Sequence, residues 1–126
     1  MQECLFCDYL NSGQHTIIAE NDTFYARWDN FPVSKGHAEV VPKKHIDSFF
    51  ELSKEDIGEL LELAKQVQEV VRGRYSPDGF NIGVNDGEVA GRTVHHLHVH
   101  IIPRYNGDVE NPVGGVRHVI PDKGKY

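Results

Sequence analysis

The stretch His96-Leu97-His98-Val99-His100-Ile101-Ile102 decides how this chain is read. Imidazoles alternate with aliphatic side chains, the period of a β-strand. His96, His98 and His100 therefore share one face, and Leu97, Val99 and Ile101 share the other. Three imidazoles on one face are costly to bury without partners, so that face is expected to carry chemistry while the aliphatic face packs. Alternate histidines can chelate a metal such as zinc or supply a nucleophile and proton-transfer groups, and spacing alone leaves both open. Just upstream, Asn85 and Gly91-Arg92-Thr93-Val94 offer an amide, close backbone approach at a glycine, a guanidinium fork and a hydroxyl. That set suits phosphate oxygens.

Working outward, Ile57, Leu60, Leu61, Ala64, Val67 and Val71 recur at three- and four-residue steps. With Ser53 as N-cap, Asp56 three residues on and Gly73 as a stop, they predict one long amphipathic helix. Strands are expected at Thr23 to Trp28, His37 to Val41, Phe80 to Val84 and His96 to Ile102. Their short connections favour antiparallel pairing. Short helices are expected at Cys4 to Leu10, closed by Gly13, and at His45 to Glu51. The fold class is α+β: an antiparallel sheet with one long helix and short ones. Residues 1–126 are expected to form a single domain, with an irregular tail from about Asn106, where Gly107, Pro112, Gly114, Gly115 and Pro121 accumulate.

Composition narrows the function. Thirteen Lys and Arg against nineteen Asp and Glu give a formal charge of -6, which argues against a sequence-independent grip on long nucleic acids. Hydrophobic residues make up 39%, and no apolar run approaches the ~20 residues that span a bilayer. Met1-Gln2-Glu3-Cys4 has no basic start followed by an apolar run, so a cytoplasmic, reducing compartment is the expectation. There, the only two cysteines, Cys4 and Cys7, point to metal or redox chemistry more than to a disulfide.

The triad run resembles the signature of the histidine triad family. The likeness extends to Asp29 eight residues before His37, to Gly36-His37-Ala38-Glu39-Val40-Val41-Pro42-Lys43-Lys44-His45, to Asn85, and to Pro103-Arg104-Tyr105. The tail segments Gly107-Asp108-Val109 and Gly114-Gly115-Val116-Arg117 are similar to those of bacterial diadenosine-tetraphosphate-hydrolase-like members. The resemblance implies that His98 attacks the α-phosphorus of a nucleoside phosphoanhydride or phosphoramidate, giving a nucleotidyl-histidine that water cleaves. His100 and His37 would assist, and Asn85, Gly91, Arg92 and Thr93 would hold the phosphate. Asp29 would bind the ribose hydroxyls, with Phe6 and Tyr9 around the base. Many relatives carry Gln at the place of Arg92, so an ionic phosphate contact replaces an amide one here. The resemblance also implies a structural zinc on Cys4, Cys7, His45 and His96, with His15 and His95 as alternative ligands. A homodimer is implied as well, and Leu63 and Val70, outside the principal helical stripe, are read as surplus apolar surface for it. Two competing functions stand beside the hydrolase: a nucleotide-binding regulatory module with negligible turnover, and a metal enzyme ligated by His96, His98 and His100.

Overall fold

The computed structural model describes residues 4–10 and 13–126; Met1 to Glu3, read above for a leader, lie outside the described residues. Five strands, β1 (Ile17–Glu20), β2 (Phe24–Trp28), β3 (Ala38–Pro42), β4 (Gly79–Gly83) and β5 (Val99–Arg104), form one antiparallel sheet in the order β1-β2-β3-β5-β4. One helix, α1 (Lys54–Tyr75), covers a single face. Among the described residues no helix is long and apolar enough to cross a membrane.

Alternation divides the sheet cleanly. Phe24 and Ala26 of β2, Ala38 and Val40 of β3, and Val99 and Ile101 of β5 pack against Leu60, Leu63, Val67 and Val71 of α1. Burying each of these large aliphatic side chains contributes about 2 kcal/mol. The opposite face carries Tyr25, Arg27, Glu39, Val41 and His100, and it is the face left for chemistry.

The helix begins where expected, on a capping box in which the Ser53 hydroxyl accepts from the Asp56 N–H and Asp56 accepts from the Ser53 N–H. It does not stop at Gly73. It runs to Tyr75 and ends on Ser76 in the left-handed region, φ 51°, just before Pro77. Tyr75 packs edge-on against Trp28 and under Gly36, and these contacts carry the helix past the glycine. The buried stripe is also rotated from the expected one. Leu63 is fully buried while Leu61 is 55% exposed, so Leu63 belongs to the core and is no surplus surface for a partner.

Four further elements differ from expectation. β1, which is not among the expected strands, is only four residues long and is held by Asn21, whose side chain accepts from the Thr23 and Phe24 N–H groups and donates to the Glu59 carbonyl of α1. The segments expected as helices at Cys4 to Leu10 and His45 to Glu51 are consecutive turns and a single 3-10 turn at Phe49–Glu51 capped by Ser48. The tail is more ordered than its glycines suggest. A 3-10 turn, Gly115–Val119, folds back so that Arg117 donates to the Gly124 carbonyl and lies 4.6 Å over the Tyr126 ring.

Candidate functional site

The ladder of β5 starts at Val99, not at His96 as expected, because the preceding residues bond elsewhere: the Leu97 N–H donates to the Ile46 carbonyl, and the His96 carbonyl accepts from the His98 ring. Leu97, Val99 and Ile101 are still all buried, so the aliphatic half of the alternation holds across the break. The histidines, however, separate into two clusters.

In the first cluster, His98 donates from Nδ1 to the His96 carbonyl at 2.8 Å. This fixes its tautomer and leaves a lone pair on Nε2. His37 accepts the Val33 N–H on Nδ1, so its proton sits on Nε2 and donates to His100 Nδ1 at 2.9 Å. His100 in turn carries its proton on Nε2, where it can donate to an incoming oxygen. Asp29 anchors this chain, with one carboxylate oxygen accepting the Phe31 N–H and the other 3.4 Å from His37 Nε2 and 3.8 Å from His100 Nδ1.

Burial lowers the pKa of His37, with Asp29 opposing, and of His98, with the His96 carbonyl opposing. It pushes His100 down to about 4, helped by the neighbouring His98 and His37. All three rings are therefore neutral near pH 7, as a nitrogen nucleophile requires.

Register adds two residues that the sequence reading passed over. Arg27 of β2 lies opposite Glu39 of β3, which lies opposite His100 of β5. Arg27 donates to Glu39 Oε1 at 2.6 Å, and both side chains are buried. Glu39 Oε2 faces His100 Nδ1 at 3.8 Å and His98 Nε2 at 4.0 Å. Strand alternation alone puts both charges on the face away from α1, but only the pairing shows that they meet beside the histidines.

Phe6 is 2% exposed and sits against His98, ring centres 4.9 Å apart, and Tyr9 stacks on Tyr25 at 4.0 Å. Gly91 is left-handed, φ 100°, at the end of the turn Glu88–Ala90. Arg92 reaches across to donate to the Asp47 carbonyl at 2.5 Å, leaving its Nε buried without a partner among the described residues. Asn85 is half-buried and Thr93 exposed, and neither side chain forms a hydrogen bond among the described residues.

The second cluster gathers Cys4, Cys7, His45 and His96, whose donor atoms lie within 4.8 Å of one another. His96 Nε2 donates to the Pro42 carbonyl, turning its Nδ1 toward Cys4 Sγ at 3.3 Å and Cys7 Sγ at 3.4 Å. His45 Nδ1 lies 3.6 Å from Cys4 Sγ and 3.2 Å from Cys7 Sγ, with its Nε2 beside Asp47. Zinc bonds of ~2.3 Å to sulfur and ~2.05 Å to nitrogen imply a tetrahedral S···N edge of ~3.6 Å, so the cage has the size and donor set for that ion. Burial and the adjacent Cys4 push the Cys7 thiol up to about 11, which a bound cation would reverse. The alternative ligands stay outside: His15 bonds to the Leu5 carbonyl and His95 is exposed.

A family model described as the HIT domain matches residues 12–107. An uncharacterized HIT-like protein of Methanocaldococcus jannaschii is 40% identical over 108 residues, 85% of this chain and 83% of that one. An adenosine 5'-monophosphoramidase of Schizosaccharomyces pombe is 36% identical over 112 residues, 88% and 81% of the two chains. The crystal structure of a zinc-bound histidine triad family protein from Mycobacterium smegmatis superposes with a TM-score of 0.72 at 33% identity, covering 84% of this chain and 78% of that one. With the sheet and the single covering helix agreeing with this likeness along most of its length, the chain belongs to the HIT domain family.

Proposed function

We propose that this protein hydrolyses, or transfers the nucleotidyl group of, nucleoside phosphoanhydrides of the dinucleoside polyphosphate type or nucleoside phosphoramidates, with His98 as nucleophile. The observation that carries this reading is the His98 Nδ1–H bond to the His96 carbonyl, which leaves a free lone pair on Nε2 of a buried, neutral ring. That lone pair forms an N–P bond at the α-phosphorus. The bond from phosphorus to the leaving group breaks, and its electron pair departs with that group. Water then attacks phosphorus, and the N–P pair returns to Nε2. His100 Nε2–H, backed by His37, donates to a phosphoryl oxygen. Gly91, Arg92 and Thr93 with Asn85 receive the phosphate, Arg92 bringing a buried Nε–H that has no acceptor among the described residues. Asp29 takes the ribose hydroxyls, and Phe6 and Tyr9 border the base.

Cys4, Cys7, His45 and His96 hold a structural zinc that supplies no step of the reaction and fixes residues 4–10 against the sheet. Thiolate ligation of this kind suits a cytoplasmic, reducing compartment. Two copies associate as a homodimer along the edge strand β4, where Ile82 is exposed on the sheet margin.

The test is rapid quench with intact-mass analysis over a panel of dinucleoside polyphosphates and nucleoside phosphoramidates. A nucleotidyl adduct on His98, labile in acid and stable in base, is expected, and His98→Ala should abolish turnover while keeping nucleotide affinity within about tenfold. A His98→Ala protein with parental turnover would refute the mechanism.

A further inference from the structure

The buried Arg27–Glu39 pair has no part in the mechanism above, yet it occupies the same cross-strand row as His100 and faces the nucleophile. One oxygen of Glu39 is committed, Oε1 accepting Arg27 at 2.6 Å. The other shares a hydrogen bond with the Asp29 carboxyl and lies 4.0 Å from His98 Nε2 and 3.8 Å from His100 Nδ1, too far for a hydrogen bond to either ring. Phosphorus bonded to Nε2 would bring its oxygens into that gap.

Among the described residues, the charged and titratable groups that face Glu39 are Arg27 and Tyr25 on β2, Asp29 just after β2 with His37 behind it, His98 just before β5 and His100 within it. From the N-terminal segment, Phe6 lies under the Arg27 guanidinium, which stands 5.3 Å from the ring centre. One guanidinium thus stands against two carboxyl groups, and the three imidazoles are neutral. An ionised Glu39 would leave a buried negative charge unpaired where a phosphate must approach.

We propose that Glu39 is a catalytic residue acting as a neutral carboxylic acid, its Oε2–H turning from Asp29 to donate to a phosphoryl oxygen as His98 attacks while Arg27 holds Oε1. This rests on His98 being the nucleophile. Burial and the neighbouring Asp29, opposed by Arg27, raise Glu39 to about 7, so the proton is present in mildly acidic solution and lost above neutrality. Loss of that proton removes a donor and places a carboxylate against the phosphate. Binding and turnover should then both fall on the alkaline side.

The experiment compares the parent with Glu39→Gln, which keeps a donor but cannot ionise. Infrared difference spectra at about pH 6 should show a protonated carboxyl band that Glu39→Gln lacks. Between about pH 6 and pH 8.5 the parent should lose about tenfold in affinity for adenosine monophosphate, as expected when a buried acid ionises beside an anion, whereas Glu39→Gln should change several-fold less. Its plateau turnover should be several-fold below the parent's, without the alkaline limb. Arg27→Gln, which removes the cation that holds Glu39 down, should move the parent's limb to higher pH and gives a second reading if Glu39→Gln does not fold. Absence of the carboxyl band at about pH 6, or the same pH dependence of nucleotide affinity in parent and Glu39→Gln, would overturn the proposal. Absence of turnover by the parent on the whole panel would instead refute the hydrolase reading, and the spectra and affinities would still decide the protonation of Glu39.

Discussion

Removing the metal clamp, by Cys7→Ser or by a strong chelator, should release residues 4–10 from the sheet without unfolding the core. The segment's own contacts are few. Full burial of Phe6 contributes about 2–3 kcal/mol, the Tyr9–Tyr25 stack about 1, and the Tyr25 hydroxyl bond to the Phe6 carbonyl about 1. Ordering seven backbone residues costs about 7–10 kcal/mol, so the segment does not stay docked unaided. The ligands lie far apart in sequence, Cys4 and His96 being 92 positions apart, and cross-linking a loop of that length lends at most about 4–5 kcal/mol. With the clamp these terms leave a net stabilisation of at most about 3 kcal/mol, so a loss of up to about 3 kcal/mol in unfolding free energy is expected, up to ~11 °C in Tm for a chain of this size. The assay pairs metal analysis with thermal unfolding and with hydrogen exchange resolved by peptide. Amides of residues 4–10 should lose protection while those around Val67 and Val40 keep theirs. Metal-free protein with the parental Tm and a protected N-terminal segment would refute the reasoning.

Acid should weaken the fold through the same buried imidazoles that serve the chemistry. His37, His98 and His100 titrate below 6.5 when folded, so the folded state binds fewer protons than the unfolded chain; their stabilisation is complete above 6.5 and is lost as pH falls, for His100 through about 4. For His100 the interval corresponds to about 3 kcal/mol, reduced to about 1–2 by the solvent that reaches its ring. Glu39 has the opposite sign, its contribution being full below its ordinary 4.5 and lost as pH rises through about 7. Denaturant unfolding should show parent stability falling from about pH 6.5 to pH 4.5 and a shallower fall in His100→Ala; equal slopes would contradict this assignment. Sedimentation at micromolar concentration should give twice the 14.3 kDa chain mass, and Ile82→Arg should shift it toward the single chain. A parent sedimenting at 14.3 kDa would dismiss the dimer.

What was legible in the sequence was local. The Ser53–Asp56 capping box is a four-residue pattern whose bonds close within one turn, and it marks the start of α1 correctly. Strand periodicity of two identifies which residues of β2, β3 and β5 face the helix, because side-chain direction follows from the backbone alone. The likeness of the triad run to a known family is likewise contained in consecutive residues. Where neighbours compete, the pattern was ambiguous. Leu60, Leu61, Leu63 and Ala64 admit two helical stripes, and only packing on Phe24, Val40 and Val99 chose Leu63 over Leu61.

The division of labour among the histidines was decided by tertiary structure. Alternation places His96, His98 and His100 together, but the Pro42 carbonyl and the sulfurs of Cys4 and Cys7 draw His96 into one cluster, while His37 and Asp29 draw His100 into another. Those partners come from segments tens of residues away. The Arg27–Glu39–His100 row has the same origin, since register between β2, β3 and β5 is set by the whole sheet closing over α1. A sequence specifies which face a side chain takes, because that is a property of its own backbone; which group it meets there depends on strands that only the folded core brings side by side.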